Sequence, residues 1–405
     1  MAFRGKALDA LTEADVRALV DEQVSEGRTL DFKRHLPGNS RDEKKEFLAD
    51  VTAFSNADGG HLVCGVDEGS GESEGVAVAV PGVEIESVDG EVLRLTNMIR
   101  DGAAPRVPNL RIEAVPVEAG RHVVFVEVPQ SFARPHMVTL KGAVPFSLRH
   151  SRSSEQMTLD EIRAAFNLSG SMIDRIRQFR RERMDVVING PHFFPLAFGP
   201  PRQVLHVLPL SMMDPSNAVD LTISLERAVT AFPTLGRVPT NARFNFEGPA
   251  VVAAPRAYTQ VFRQGAVEAV TIEGSQMLQG EPTQINFGQV EGMVIRGLQR
   301  YFRSLIAAGA RAPFVVGLSL TRVSQCVMFS PRGAYVNPPI DRDNLIVPEV
   351  VVNEYPETED PRDEAAARTR ARLVSDAMRP AFDAVWNAGG VQPSPYYGDD
   401  GRWIG

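Results

Sequence analysis

The sequence reads as two α+β domains in series, one over residues 13–168 and a second over residues 186–395. Three observations carry that reading. Short β-branched runs alternate with amphipathic helical stretches through the first 168 residues. A polar, helix-like stretch, GSMIDRIRQFRRERMD, then interrupts the pattern and serves as a connector over residues 169–185. Strand-like and helical runs resume beyond it. A chain of 405 residues has room for two or three such domains, each with its own core.

Residues 12–25 form the first expected helix, with Val16, Leu19, Val20 and Val24 at helical spacing. TLDFK follows as a strand. Asp31 and Lys33, two places apart, share one face of it, and Leu30 and Phe32 share the other. Ser40 and Glu43 make a capping-box pattern ahead of a helix whose stripe is Phe47, Leu48, Val51 and Phe54. Gly59-Gly60 ends that helix, and HLVCGV reads as a strand buried on both faces. VAVAV repeats its character after a Gly-rich turn. Residues 85–101 suggest a helix. NLRIEAVPV, RHVVFVEV and VPFSLRH read as antiparallel strands, and MTLDEIRAAF starts the closing helix. In the second domain VLHVLPL, APFVVGLSL and LIVPEVVV are strand-like, while 257–269, 288–308 and 364–388 look helical.

Composition narrows the function classes. The two cysteines, Cys64 and Cys326, exclude a disulfide framework and a cysteine zinc cluster and fit a reducing, cytoplasmic setting. The start, MAFRGKALDA, lacks the apolar core of a signal peptide, and no apolar run is long enough to span a membrane. The net charge of −8 sits entirely in residues 1–170, which hold 19 Lys+Arg against 27 Asp+Glu, while residues 171–405 hold 24 of each. Two local tracts run against that balance. Lys33, Lys44 and Lys45 cluster near TLDFK, and residues 129–154 carry Arg134, Lys141, Arg149 and Arg152 with no acid. Such tracts either hold phosphates or form ordinary solvated faces.

Several patterns fail on context. Gly71-Glu72-Ser73-Glu74-Gly75 fits a nucleophile elbow, but it lies between two strands rather than between strand and helix. The Gly69, Gly71 and Gly75 cluster reads as a hairpin turn, not a dinucleotide loop. There is no phosphate-binding G-x-x-x-x-G-K loop and no H-E-x-x-H helix, and histidines such as His61 and His206 stand singly. Glu268, Glu291, Asp341 and Asp343 read as solvated surface. What remains is a carboxylate set. Glu26 precedes the TLDFK strand, Asp31 lies on it, and Asp67 follows HLVCGV, with Glu68 as a competing acid. If the two strands are neighbours, Glu26, Asp31 and Asp67 meet at one end of the sheet and need a hard divalent cation, Mg²⁺ or Mn²⁺, to offset their repulsion. The plainer alternative is an edge strand whose Asp31 pairs with Lys33.

LDFK followed by KKEFLADVTAFSNADGGHLVCGVDEG resembles the AlbA-like domain of Schlafen proteins, a module found in many bacterial proteins under a divergent-AAA or ATP-binding label. The matching residues are Asp31-Phe32-Lys33, Ala53, Asn56, Gly59, Gly60, Gly65, Val66 and Asp67, with Arg134-Pro135-His136 and PFSLRHSRSSEQMTLDEI as the closing part. The resemblance covers residues 13–168 and implies a mixed sheet with flanking helices. It implies that Glu26, Asp31 and Asp67 are catalytic and metal-binding acids of a metal-dependent endoribonuclease acting on structured RNA such as tRNA. Lys33, Lys44, Lys45, Arg149 and Arg152 would then grip the nucleic acid. It further implies an antiphage or toxin effector, and a homodimer that pairs two such modules. The other readings are a non-catalytic nucleic-acid-binding regulator, and an ATP-binding protein using Asn56 and Gly59-Gly60. Two departures stand out: Asp31 replaces the family's usual glutamate, and Arg149-His150-Ser151-Arg152-Ser153 replaces Arg-x-Gly-Ser.

Overall fold

The computed structural model describes the chain apart from residues 1–2, 4–5, 7, 143–144, 191–193, 195, 198, 214–218, 220, 274–282, 330–336 and 357–363. It divides into two units, Met1–Ser171 and Met172–Gly405. Along the first unit run α1 (Glu13–Asp21), β1 (Leu30–Lys33), α2 (Arg41–Asn56), β2 (Gly59–Cys64), β3 (Asp67–Glu68), β4 (Ala77–Ala79) and α3 (Val88–Gly102). β5 (Ala103–Ala104), β6 (Arg111–Val117), β7 (Arg121–Pro129), β8 (Met137–Val138), β9 (Ser147–His150) and β10 (Ser153–Gln156) follow. Helix α4 (Leu159–Asn189) takes in both the expected closing helix and the expected connector, and the division between the units falls within it.

Strand periodicity builds the first core. The main sheet has the order β1-β2-β7-β6, with β1 parallel to β2 and the other pairs antiparallel. Alternate residues of β2 and β7 point to opposite sides. Leu62, Cys64, Val124, Val126 and Val128 join Phe47, Leu48, Val51 and Phe54 of α2 and Leu95 and Ile99 of α3. Val63, Val123 and Phe125 join Val16 and Leu19 of α1. The sheet is therefore covered on both faces, which explains why β2 is buried at all six positions. α2 starts at Ser40, whose hydroxyl accepts from the Glu43 N–H as the capping pattern predicts. The turn between β3 and β4 is the expected hairpin, with Gly71 and Gly75 at φ +67° and +75°. VAVAV does not extend the buried sheet: only Ala77–Ala79 is strand, paired with β3, and Val78 is exposed.

The second unit is an antiparallel sheet built on two long central strands. Its elements are β11 (Arg202–Pro209), α5 (Leu225–Ala231), β12 (Asn241–Phe244), β13 (Pro249–Ala253), β14 (Ala257–Val261), β15 (Val267–Ile272), β16 (Gln284–Ile285) and α6 (Phe287–Ala307). β17 (Phe314–Thr321), β18 (Val327–Met328), β19 (Asn344–Ile346), β20 (Val350–Val352) and α7 (Glu364–Ala388) complete it. The sheet order is β12-β13-β14-β15-β11-β17-β19, with β20 also on β17. Leu205 and Val207 of β11 pack with Val294, Leu298 and Phe302 of α6 and Phe382 and Trp386 of α7. Val204 instead packs with Met184 and Val187 of α4.

Residues 257–269 are not helical but form a hairpin, β14 against β15. Gly265 sits in its turn at φ +90°, a conformation that breaks a helix, and the flanking Tyr258, Thr259, Val261, Val267 and Val270 favour strand. Glu268 and Glu291 are also not solvated. Glu268 is fully buried, accepting from Arg183 (2.8 Å) and Tyr258 (2.9 Å) and lying 3.0 Å from His206. Glu291 accepts from Trp386, Ser394 and Trp403 at 2.7–3.0 Å and so anchors the C-terminal segment to α6. Each acid survives burial because several donors surround it.

Phe54 is fully buried and carries the Arg149 guanidinium 4.9 Å above its ring. Phe54→Ala is expected to destabilise the amino-terminal unit by about 3–5 kcal/mol in urea denaturation. A loss below about 1 kcal/mol would show that the α2 face of the sheet is not a packed core.

Candidate functional site

β1 is an edge strand, and its register with β2 sets where its charges go. Phe32 lies opposite Val63, on the α1 side, whereas Asp31 and Lys33 lie opposite Leu62 and Cys64, on the side covered by α2. The two charges on TLDFK therefore point beneath a helix rather than to open solvent. α2 answers with Asp50, and β9 answers with Arg149. The Arg149 Nη2 donates to Asp31 Oδ1 at 2.9 Å, and the Lys33 Nζ lies 3.0 Å from Asp31 Oδ2 and 3.2 Å from Asp50 Oδ2. Ser154 Oγ donates to Asp50 Oδ1 at 2.9 Å. Arg149 also reaches the carbonyls of Gly27 and Leu30. Two acids and two bases thus balance in a buried cluster. Burial pushes the Asp50 carboxyl up, opposed by Lys33; burial also works against the Lys33 ammonium, but Asp50 and Asp31 outweigh it and hold its pKa up. The Cys64 thiol beneath is pushed up to about 12 by burial, which removes it as a nucleophile.

Glu26 is placed by its own backbone bond. Its Oε1 accepts from the Phe32 N–H at 2.7 Å, so the carboxyl folds back over β1 toward Asp31. Burial, then the charges of Asp31 and Glu68, raise it to about 7. The third acid felt by Glu26 is thus Glu68, while Asp67 turns to Arg34, with 2.9 Å between Asp67 Oδ2 and Arg34 Nη1. Glu26, Asp31 and Asp67 do not form a ready divalent-metal site. Among the described residues no three His, Cys, Asp or Glu side chains gather closely enough to hold an ion. Asp31 and Asp67 are each already paired with a cation.

The basic residues divide into two groups. Arg149 is 2% exposed and fully engaged with Asp31 and backbone carbonyls, so it anchors the strand and does not face a phosphate. Arg152 is exposed and donates to the Glu74 carbonyl at 2.9 Å. Lys33 keeps 35% of its side chain exposed and lines a pocket of about 270 Å³ with Arg34, His35 and Glu46. Lys44 and Lys45 lie on the first turns of α2, half-buried, with Lys45 3.0 Å from Asp42. Beside them, Arg41 Nη2 donates to the Lys141 carbonyl at 2.6 Å, and Lys45 Nζ comes within contact distance of the Gly142 position. The two basic tracts of the sequence therefore meet at one seam. Arg41 was not singled out by sequence reading; its position directly after the Ser40 cap was the available signal.

Asn56 does not present itself to a phosphate. Its amide donates to the carbonyls of His136 (2.9 Å) and Ser147 (2.8 Å) and its oxygen accepts from the His136 N–H (2.7 Å). Gly60 pairs with Val128 inside the sheet. These residues clamp α2 to the segments after β7, and the ATP reading loses its sequence basis here.

Residues 26–158 match the family model described as Schlafen, AlbA_2, and the family supports nucleic-acid binding as the general role of this domain. No curated protein matches the chain. Two solved structures are similar in part. The N-terminal domain of a RecG-related protein from Nitrosomonas europaea is 21% identical, with 37% of this chain and 94% of that chain covered and a TM-score of 0.27. The DIP2311 protein from Corynebacterium diphtheriae is 16% identical, with 36% and 26% covered and a TM-score of 0.23.

Glu26 holds its proton more tightly in the folded state, at about 7, than at its ordinary 4.5. The stability this proton confers is complete below the unfolded value and is lost as pH rises through about 7. Glu26→Gln keeps an oxygen for the Phe32 N–H and removes the titration. The variant is expected to exceed wild type in stability at pH 8 by on the order of 1 kcal/mol, allowing for solvent screening, with the gap closing toward pH 5. A gap that stays constant over that range in urea denaturation would contradict the assignment.

Proposed function

With residues 26–158 forming a Schlafen AlbA-like domain, we propose that the amino-terminal unit binds RNA through the seam where its two basic tracts meet. The observation that carries this reading is the hydrogen bond from Arg41 to the Lys141 backbone carbonyl, which joins residues 100 positions apart and, with Lys45 Nζ near Gly142, brings the start of α2 beside the Lys141 segment. Arg41, Lys44 and Lys45 stand in the first turns of α2, where the helix dipole adds positive potential and Asp42 and Glu43 offset part of it. Lys33 and Arg152 extend the contact. The buried Asp31 cluster holds the surface in shape and takes no part in chemistry. The second unit then acts as the regulatory part of a nucleic-acid-binding effector, and a homodimer pairs two binding surfaces.

A second reading is a metal-dependent endoribonuclease acting on structured RNA such as tRNA, as an antiphage or toxin effector. One observation favours it: Glu26 lies close enough to Asp31 and Glu68 for their charges to raise its pKa, an acidic grouping of the kind a divalent cation discharges. Arg149 and Lys33 would have to release Asp31 first. This reading requires RNA cleavage that Glu26→Gln abolishes; wild-type protein that leaves tRNA intact with Mn²⁺ removes it.

Binding is checked by fluorescence anisotropy with a structured RNA over a salt series. Lys44→Glu/Lys45→Glu is expected to weaken binding at least tenfold and to make the slope of log K against log salt shallower by about 2. Equal affinity and slope in the two proteins would place the contact surface elsewhere. No binding by wild type at low salt would dismiss nucleic-acid binding by this unit.

A further inference from the structure

The second unit holds a groove of about 640 Å³ between α6 and the segment 229–239. Arg296, Arg300 and Arg303 line it from α6, and Arg237 lines it from the opposite segment. The first three stand at i, i+4 and i+7, the spacing that puts side chains on one helix face. Like charges at that spacing repel mildly, and an anion set between them would relieve that repulsion. Among the described residues no aspartate or glutamate lines the groove, although residues 171–405 are neutral overall. The Nε of Arg237 is buried and has no hydrogen-bond partner, while its Nη2 donates to the Ile272 carbonyl. Glu273, the acid that senses Arg237, is pushed up to about 7 by burial and so offsets only part of that charge at neutral pH.

The remaining walls are apolar. Leu235 and Met293 line the groove, and Val238 stands 84% exposed at it. Guanidinium groups match phosphate oxygens in a two-pronged geometry, and an apolar wall beside them suits a flat ring or an aliphatic body. The volume lies in the range of small-molecule clefts, roughly 300–1,000 Å³. We infer that this groove binds a phosphorylated small molecule of nucleotide size, with Arg296 and Arg300 as its main phosphate contacts. The site is independent of the nucleic-acid surface of the first unit.

The test is calorimetric titration of the full chain with sodium tripolyphosphate and, separately, with ATP, both without divalent cations. Both probes are expected to bind wild type. Arg296→Glu/Arg300→Glu should weaken each by about 100-fold, near tenfold per arginine. Both side chains are exposed, so the variant should keep the wild-type melting temperature. Tighter binding of ATP than of tripolyphosphate would identify a nucleoside body on the apolar wall; equal binding would identify the phosphate chain as the ligand. Lys44→Glu/Lys45→Glu should leave both titrations unchanged, which separates this site from the RNA surface. The inference fails if neither probe binds wild type, or if Arg296→Glu/Arg300→Glu binds both as well as wild type. It also fails if that variant loses affinity only for a single-stranded RNA, which would make the groove part of a nucleic-acid path.

Discussion

The ion pair between Asp31 and Arg149 is the constraint on which the amino-terminal unit turns. A carboxylate on an edge strand would ordinarily face water. Here register with β2 sends it under α2, where desolvation makes it costly unless it is matched. Arg149 and Lys33 supply the match, and Asp50 balances the second cation. The four groups come from β1, α2 and β9, so satisfying one buried charge fixes three elements relative to one another. Arg149 also lies over Phe54, which ties the polar cluster to the apolar core beneath it.

That arrangement bears on which use of these acids is proposed. A divalent cation needs carboxylates whose charge is available. Asp31 spends its charge on two cations, Asp67 on Arg34, and Glu26 holds a proton up to about neutral pH. Arg41, Lys44 and Lys45 stand at the start of α2 among Asp42, Glu43 and Glu46, close to the turn at Lys141–Gly142.

Much of the first unit was legible because its signals are local. Capping at Ser40, the stripe on α2 and the apolar run of β2 each depend on residues close in sequence. The neighbouring of β1 and β2 entered the sequence reading only as a condition, and the pairing of Asp31 with Lys33 was one of the two readings that the spacing allowed. The partner role of Arg149 was not legible, since nothing local says that a residue 118 positions away folds under the same helix. The same applies to the seam between Arg41 and Lys141. In the second unit, 257–269 misled because Ala, Gln and Val fit a helix until Gly265 is weighed as a turn. Glu268 and Glu291 misled because a lone acid in a strand or helix looks solvated. Their donors, His206 and Arg183 for one and Trp386 and Trp403 for the other, come from distant elements.

The most direct measurement is a double-mutant cycle on the buried pair, with Asp31→Asn, Arg149→Gln and the double variant unfolded in urea. If the pair holds β1 and β9 together, each single change is strongly destabilising and the double change costs much less than their sum, with a coupling energy of about 1.5–3 kcal/mol. Additivity within about 0.3 kcal/mol would mean that Asp31 and Arg149 do not depend on each other. Asp31 would then carry a charge that its fold does not use, and the case for a structural role in place of a catalytic one would fall.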